Sequence, residues 1–453
     1  MVKYNFYCLN DRDRFNINNK VDEALKQNAH IVDIIKEGKC SNMLGWKCLT
    51  THQDKVVADI IAYCDEVRDK FDDFIVLGVG GSALGAKAIF NTLCSATYNM
   101  QDRDKRKGPR FYVLDNIDPI EIKEIVETIN IEKTLINVVS KSGTTTESMS
   151  QFLAFWDLLV DALGEEKAKQ NVVFTTDKEN GLLSKLEKER GFKAFYIPAG
   201  VGGRFSVLSP VGLLPACMIG VDIKELLQGA REAQDMCERS IEDNVAYKKA
   251  ILEYELNKIG INMIVTMPYS SKLKEYSYWY AQLLAESIGK EQNRNGEKIR
   301  CGLTPVSALG ATDQHSQLQL YMEGPLDKLL VCVRVKEFNE KYGVQSDALG
   351  LQDLEHLKNF EFGKLINMER KSTLCGLEHG GIPYMEIVVP DISARTLGAL
   401  FMLNMYEIAY LGELYNVDAY NQPGVEYGKR ATLAGLGVDK YKEYLVTCKF
   451  IED

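Results

Sequence analysis

The sequence predicts an α/β fold of doubly wound, mainly parallel sheets in two units, with helical terminal segments. Three observations carry this reading. Short, nearly continuous apolar runs alternate with amphipathic stretches of helical length, the pattern of strands covered on both faces by crossover helices. The rhythm runs through the first half of the chain and resumes in the second with longer insertions. Several strand-to-helix junctions are crowded with glycine and hydroxyl residues, the residue types that let backbone N–H groups face a ligand.

Taken in order, residues 1–50 read as a mixed leader with a helix near 22–36. The first unit, 51–200, has strands at 74–78, 111–115, 134–139, 171–175 and 194–197. Helices at 83–94, 119–129 and 146–163 lie between them, which makes a five-stranded parallel sheet. The second unit, 201–412, opens with helices at 211–220, 223–240 and 244–260. A strand at 261–266, a helix at 272–288, strands at 329–335 and 385–389 and a long apolar helix at 394–412 follow. Residues 413–453 form a helical tail.

At 453 residues the chain is long enough for two substantial cores. Its formal charge of −10 and pI near 5.3 argue against a general nucleic-acid binder, which needs a basic face. An anionic ligand must therefore be held by local charges and dipoles rather than by the overall field. The 11 cysteines are odd in number, with no CxxC and no Cys/His group at zinc-ligand spacing. They read as reduced thiols of a cytoplasmic protein with no metal site. No signal peptide is visible, and no apolar run reaches membrane-spanning length.

The most informative stretch follows the strand at 134–139. Ser140, Ser142, Thr144, Thr145 and Thr146 place five hydroxyls, with Lys141 and Gly143, within seven positions just where a helix begins. Hydroxyls and free N–H groups at a helix N-terminus make an anion site. The Walker pattern fails: Gly80 and Gly85 have its glycine spacing, but Ala86 precedes Lys87 and no Ser or Thr follows. A single phosphate on a small metabolite fits better than a nucleoside triphosphate.

Other segments each admit two readings. Gly78-Val79-Gly80-Gly81-Ser82-Ala83 satisfies a loose dinucleotide pattern, with Asp115 as a ribose-binding acid, and equally a tight turn or a different ligand site. Gly200 to Ser206 carries Arg204 between glycines, either as a charge facing a ligand or as an interdomain linker with a surface ion pair. Glu286 lies in the last turn of an aromatic, apolar helix, with Gln282 on the same face and Gly289 as the stop signal. The apolar setting and the negative helix end raise a carboxyl pKa toward a base's range, whereas a solvated surface acid is the bland alternative. His315 sits in a polar helix start that Thr312 or Asp313 caps, and Lys429 follows the turn Gln422-Pro423-Gly424; either can face a site or water.

As a set, and in this order, these segments resemble the glucose-6-phosphate isomerase family in its shorter bacterial form. The motifs that carry the resemblance are Gly-Val-Gly-Gly-Ser-Ala-Leu-Gly at 78–85, Ser-Lys-Ser-Gly-Thr-Thr at 140–145 and Gly-Gly-Arg-Phe-Ser at 202–206. Ala-Glu-Ser-Ile-Gly-Lys at 285–290, Asp-Gln-His-Ser at 313–316 and Gln-Pro-Gly-Val-Glu-Tyr-Gly-Lys at 422–429 complete the set. The resemblance implies two sugar-isomerase (SIS) domains, a cytoplasmic homodimer of glycolysis and gluconeogenesis, and a hexose phosphate as partner, with no cofactor. It implies ring opening and proton transfer through a cis-enediol. Glu286 matches the family's base, Arg204 the residue that steadies the enediolate, and His315 with Lys429 the ring-opening pair, the histidine coming from the neighbouring subunit. Ser140, Ser142 and Thr145 match the phosphate binders; Gly81, Ser82, Gln282 and Gln422 match other substrate contacts. The chain departs from the long form in the hydroxyl loop, with Ser-Gly-Thr where Thr-Phe-Thr is common. The polar stretch 290–296 reads as a mobile loop beside the site. A sugar-phosphate sensor on the same fold has no need of Glu286, Arg204 and His315 together, and a nicotinamide-dependent dehydrogenase rests on 78–83 alone.

Overall fold

The computed structural model describes residues 1–7, 17–346 and 349–448; residues 8–16 of the leader and 449–453 of the tail lie outside them. Strand β1 (Lys3–Asn5) is followed by helices α1 (Ile17–Gln27), α2 (His30–Glu37) and α3 (Asp54–Val67). The single helix anticipated at 22–36 is thus two, broken near Asn28 and Ala29. Between α2 and α3, Cys40 and Cys48 are joined in a disulfide, where the sequence reads as reduced thiols.

The first sheet holds β2 (Asp73–Leu77), β3 (Arg110–Leu114), β4 (Thr134–Val139), β5 (Val172–Asp177) and β6 (Lys193–Ile197), all parallel, in the order β3-β2-β4-β5-β6. Helices α4 (Leu84–Leu93), α5 (Pro119–Thr128), α6 (Thr146–Leu163), α7 (Glu165–Ala168) and α8 (Leu182–Arg190) connect them. Strands β2 and β4 are buried along their whole length, as their unbroken apolar sequence requires. From β2 the chain moves to β3 on one side, and from β4 to β5 on the other. The crevice at the carboxyl ends of β2 and β4 is therefore a topological switch point, the usual place for a ligand in an open α/β sheet.

Three helices, α9 (Pro210–Met218), α10 (Ile223–Arg239) and α11 (Val245–Lys258), lead to the second sheet. Strand β7 (Met263–Pro268) precedes α12 (Lys274–Ile288), a hairpin of β8 (Lys290–Gln292) and β9 (Lys298–Cys301), β10 (Thr304–Ser307), α13 (Leu318–Glu323) and β11 (Lys328–Val335). Helix α14 (Phe362–Gly380), β12 (Tyr384–Val389), α15 (Ala394–Leu414) and α16 (Glu426–Gly435) complete the chain's regular elements. The sheet order is β1-β12-β11-β7-β10, parallel except for β1, which pairs antiparallel with β12 at the edge. This is the expected doubly wound, mainly parallel architecture. Strands β1, β8, β9 and β10 and helices α3, α7, α8 and α14 are additions to the elements read from sequence.

Helix α15 is the central support, buried along nearly its whole length. It crosses α10 so closely that a Cβ on Gly398 would lie 1.8 Å from the Leu226 carbonyl oxygen. Between α11, α12 and α15, Lys249 Nζ donates at 2.6 Å to both Glu253 and Glu407, and Tyr280 donates to Glu407 at 2.6 Å. Burial pushes Glu253 up to about 8, with Lys249 opposing and Glu407 reinforcing the shift. The 290–296 stretch forms strand β8 and the turn of the β8–β9 hairpin. Asn293 Oδ1 accepts from the N–H groups of Asn295 and Glu297, and the Arg294 guanidinium is bidentate to Glu413. No helix among the described residues is long and apolar enough to cross a membrane.

Candidate active site

The two motif turns of the first sheet stand side by side at its switch point. After β2 the chain turns through Gly80–Ser82 into α4, with Gly80 at φ +56°. A Cβ on Gly81 would lie 2.3 Å from the Gly203 carbonyl carbon, and one on Gly80 would lie 2.7 Å from Gln282 Nε2. These glycines bring the turn against the Arg204 loop and against α12. Asp115, the acid required by a dinucleotide reading, is occupied by Lys87 at 2.8 Å.

After β4, Ser140 Oγ accepts from the Gly143 N–H at 3.0 Å and lies 3.0 Å from Thr145 Oγ1. Ser142 Oγ accepts from the N–H of Thr144 at 3.2 Å and from its hydroxyl at 3.0 Å. Thr145 begins α6 without a side-chain cap, so the first N–H groups of an 18-residue helix remain directed at the loop. Lys141 turns away from this nest. Its Nζ donates to the carbonyls of Ala199 at 3.0 Å and Val201 at 2.8 Å, tying the hydroxyl loop to the loop that carries Arg204. Burial pushes its pKa down, with Asp177 opposing.

Arg204 is 5 % exposed, and all five of its N–H donors are used. Nε donates to Ser287 Oγ at 2.7 Å, and Nη1 donates to Glu286 Oε2 at 3.3 Å and Gln422 Oε1 at 3.0 Å. Nη2 donates to the carbonyls of Ala419 at 2.5 Å and Asn421 at 3.0 Å. The residue is neither a linker charge nor a surface pair: it clamps α12 to the segment that follows α15. Burial pushes its pKa down, while Glu286 and Asp418 push it up.

Glu286 lies in the last turn of α12, and Gly289 ends the helix. Oε1 accepts from Gln282 Nε2 at 3.1 Å, one turn earlier, and Oε2 accepts from Arg204. The side chain is 34 % exposed. Its setting is a polar clamp open to solvent rather than the apolar setting anticipated.

Gln282, Glu286, Arg204 and Gln422 are thus joined by hydrogen bonds, with Gly81 and Ser82 in the neighbouring turn; Ser140, Ser142 and Thr145 form the adjoining nest. His315 and Lys429 are not drawn into this group. His315 ends a short 3-10 turn (Thr312–His315), is exposed, and has no side-chain hydrogen bond or ion pair among the described residues. The helix expected to run from there to Met322 is interrupted, because Asp313 accepts from the Leu309 N–H and from Ser316 Oγ instead. Lys429, also exposed, pairs with Glu426 at 2.8 Å. Ser287 and Lys290 were not singled out from sequence, although both lie within the Ala-Glu-Ser-Ile-Gly-Lys motif. A cavity of about 1120 Å³ lies elsewhere, beside Tyr7, Arg334, Arg370 and His379, and includes none of the grouped residues.

The chain is similar to known proteins along most of its length. The family model for phosphoglucose isomerase matches residues 62–438. A glucose-6-phosphate isomerase of Carboxydothermus hydrogenoformans is 43 % identical over 410 residues, 90 % of this chain and 88 % of that protein. The crystal structure of a hypothetical protein from Thermus thermophilus superposes with a TM-score of 0.85 at 35 % identity, over 96 % of this chain and 100 % of that one. That of a glucose-6-phosphate isomerase from Chlamydia trachomatis gives 0.82 at 20 % identity, over 98 % and 91 %, a likeness of fold. With motif turns meeting at a switch point and a match that runs through both sheets, the chain belongs to the phosphoglucose isomerase family.

Proposed function

We propose that this chain is an aldose–ketose isomerase that interconverts glucose 6-phosphate and fructose 6-phosphate, a step shared by glycolysis and gluconeogenesis. Family membership supports the reaction. The observation that carries the residue assignment is the Glu286 carboxylate, held between Gln282 and Arg204 at the mouth of the switch-point crevice.

The phosphate is held by Ser140, Ser142, Thr145 and the uncapped N-terminus of α6. Gly81, Ser82, Gln282 and Gln422 line the sugar chain. His315 and Lys429 open the ring. The exposure of both supports their meeting the substrate in a homodimer, with His315 crossing from one protomer to the site of its partner. Glu286 then takes the proton from C2 of the open-chain aldose. The C–H electron pair forms the C1–C2 double bond, and the carbonyl oxygen at C1 takes up the developing negative charge, giving the cis-enediol in its enediolate form. Arg204 stabilises that charge with a guanidinium already fixed in place. The C2 hydroxyl gives up its proton, which passes to O1, and as the C2–O bond becomes the ketone the C1–C2 electron pair takes back the proton from Glu286 at C1.

We further assign 51–200 and 201–412 as two SIS domains, with 1–50 and 413–453 as terminal segments, in a cytoplasmic protein. The test is a coupled assay that follows fructose 6-phosphate to glucose 6-phosphate, run without added metal or cofactor and repeated in ²H₂O. Turnover with deuterium appearing at C2 of the product is the expected result. Absence of turnover, or turnover with a wholly retained hydride, would overturn the reading.

A further inference from the structure

Lys290 is a long cation with almost no access to water, 7 % exposed, placed two residues beyond the end of α12. Its Nζ donates to the Glu286 carbonyl at 2.5 Å and to the Ser287 carbonyl at 2.9 Å. The last carbonyls of a helix have no partner within it and carry its negative dipole end. Here two of them belong to the residues that organise the site. Glu286 presents the carboxylate, and Ser287 fixes Arg204 through Nε. The neighbouring carbonyls have other donors: Ala285 O accepts from the Gly289 N–H at 2.9 Å, and Ile288 O from the Cys301 thiol at 3.4 Å.

We propose that Lys290 is a positioning residue for the isomerisation, an ammonium cap that holds the last turn of α12 so that the Glu286 carboxylate and the Ser287–Arg204 bond keep their reactive alignment. The inference rests on the assignment of Glu286 and Arg204 given above. A lysine does this where a neutral cap would not, because a full charge faces the helix end from a site closed to water. The groups around it are Arg204, Asp418 in the segment after α15, Cys301 on β9 and Glu286 itself. Burial, reinforced by Arg204, pushes Lys290 down to about 8, while Asp418, Cys301 and Glu286 oppose this. The cap therefore loses its charge within an accessible pH range. The neutral amine keeps donor hydrogens but no longer balances the dipole.

The experiment measures kcat and KM of the full-length enzyme against pH for the native protein and for Lys290→Met, with Glu286→Gln as a control. Displacing a catalytic carboxylate by about 1 Å costs about 10–100-fold in kcat. Lys290→Met should show that loss below pH 7 with KM within about threefold, the signature of an interaction made in the transition state. The native kcat should bend downward near pH 8, and the bend should be missing in Lys290→Met. Lys290→Arg, which stays charged, should recover part of kcat and also lack the bend. An unchanged kcat in Lys290→Met, or a bend at the same pH in that variant, overturns the proposal. If the substitutions prevent folding, the native profile decides alone: a flat kcat between pH 7 and 9 overturns it, and a bend near 8 supports it. Should Glu286→Gln keep substantial turnover, the assignment of the base fails instead; should Glu286→Gln be inactive and Lys290→Met normal, only the role of Lys290 fails.

Discussion

Replacing Arg204 by lysine keeps the charge and removes the geometry, and the structure gives the consequence of each. Arginine supplies five donors, and five acceptors receive them: Ser287 Oγ, Glu286 Oε2, Gln422 Oε1 and the carbonyls of Ala419 and Asn421. A lysine has three donors on one atom, so at least two acceptors lose their partner. Gln422 is exposed and rehydrates, whereas the Ala419 carbonyl is buried and cannot. One buried acceptor left without a donor costs about 1–3 kcal/mol, and with a second, weaker loss the whole comes to about 2–4 kcal/mol. That should appear as a fall of several degrees in thermal midpoint. In catalysis, the guanidinium acts on the enediolate as a fixed charge, and losing comparable preorganised stabilisation of an oxyanion costs about 10²–10³-fold in kcat. The two effects separate in a single protocol: unfolding by calorimetry, and kcat with KM by the coupled assay well below the unfolding temperature. A variant that unfolds earlier yet keeps kcat within about threefold would refute the argument that fixed guanidinium geometry, rather than charge alone, stabilises the enediolate.

The remaining predictions are more compact. Glu286→Gln should nearly abolish turnover, by about 10²–10⁴-fold or more, while sugar-phosphate affinity measured by titration calorimetry stays within a few-fold; substantial residual isomerisation contradicts its role as base. Lys429→Ala should slow the cyclic sugar more than an open-chain analogue, with no change in thermal midpoint because the residue is a surface lysine; equal slowing of both substrates refutes a ring-opening role. Gly81→Ala drives a methyl into the Gly203 backbone and should cost both stability and activity, whereas Gly203→Ala meets nothing within 4 Å and should leave the unfolding midpoint unchanged. Glu253, buried and raised to about 8, holds a proton in the folded state that the unfolded chain releases near its ordinary carboxyl value of 4.5. Its stabilising contribution is therefore full below about pH 4.5 and lost as pH rises toward 8; the slope of thermal midpoint against pH should be shallower across this window in Glu253→Gln, and an unchanged slope speaks against the buried proton.

Most of the fold was legible because its strands are buried on both faces. Runs such as Phe74 to Leu77 and Leu135 to Val139 need no tertiary information to be recognised, and the hydroxyls after Val139 mark where the strand must end. What escaped lacked such a signal. Strand β1 is only three residues long, and its apolar character has meaning only beside β12, whose Ile387 it meets through Tyr4 across most of the chain. Strand β10 contains Pro305, which an edge position tolerates and a sequence reading demotes. The 290–296 stretch is as polar as a mobile loop. Its hairpin is closed by Asn293 within its own turn and tied to α15 by Arg294 reaching Glu413, a pairing between residues 119 apart in sequence.

The candidate site divides along the same line. Local chemistry identifies its residue types, since a hydroxyl nest at a helix start and a carboxylate one turn above a glycine stop are patterns within ten residues. The constraint that makes the arginine useful is not local. Its partners lie 82, 83, 215, 217 and 218 residues away, and three of them are a serine hydroxyl and two backbone carbonyls that carry no distinguishing sequence mark. Fixing a guanidinium before substrate arrives avoids reorganisation at the moment the enediolate forms, so the fold has to supply acceptors for every donor in advance. A buried cation so fully bonded cannot be replaced by one of similar charge without leaving carbonyls exposed to nothing. His315 and Lys429 stand in the opposite condition: exposed and without partners in the site group, so the ring-opening role proposed for them demands no network of buried acceptors.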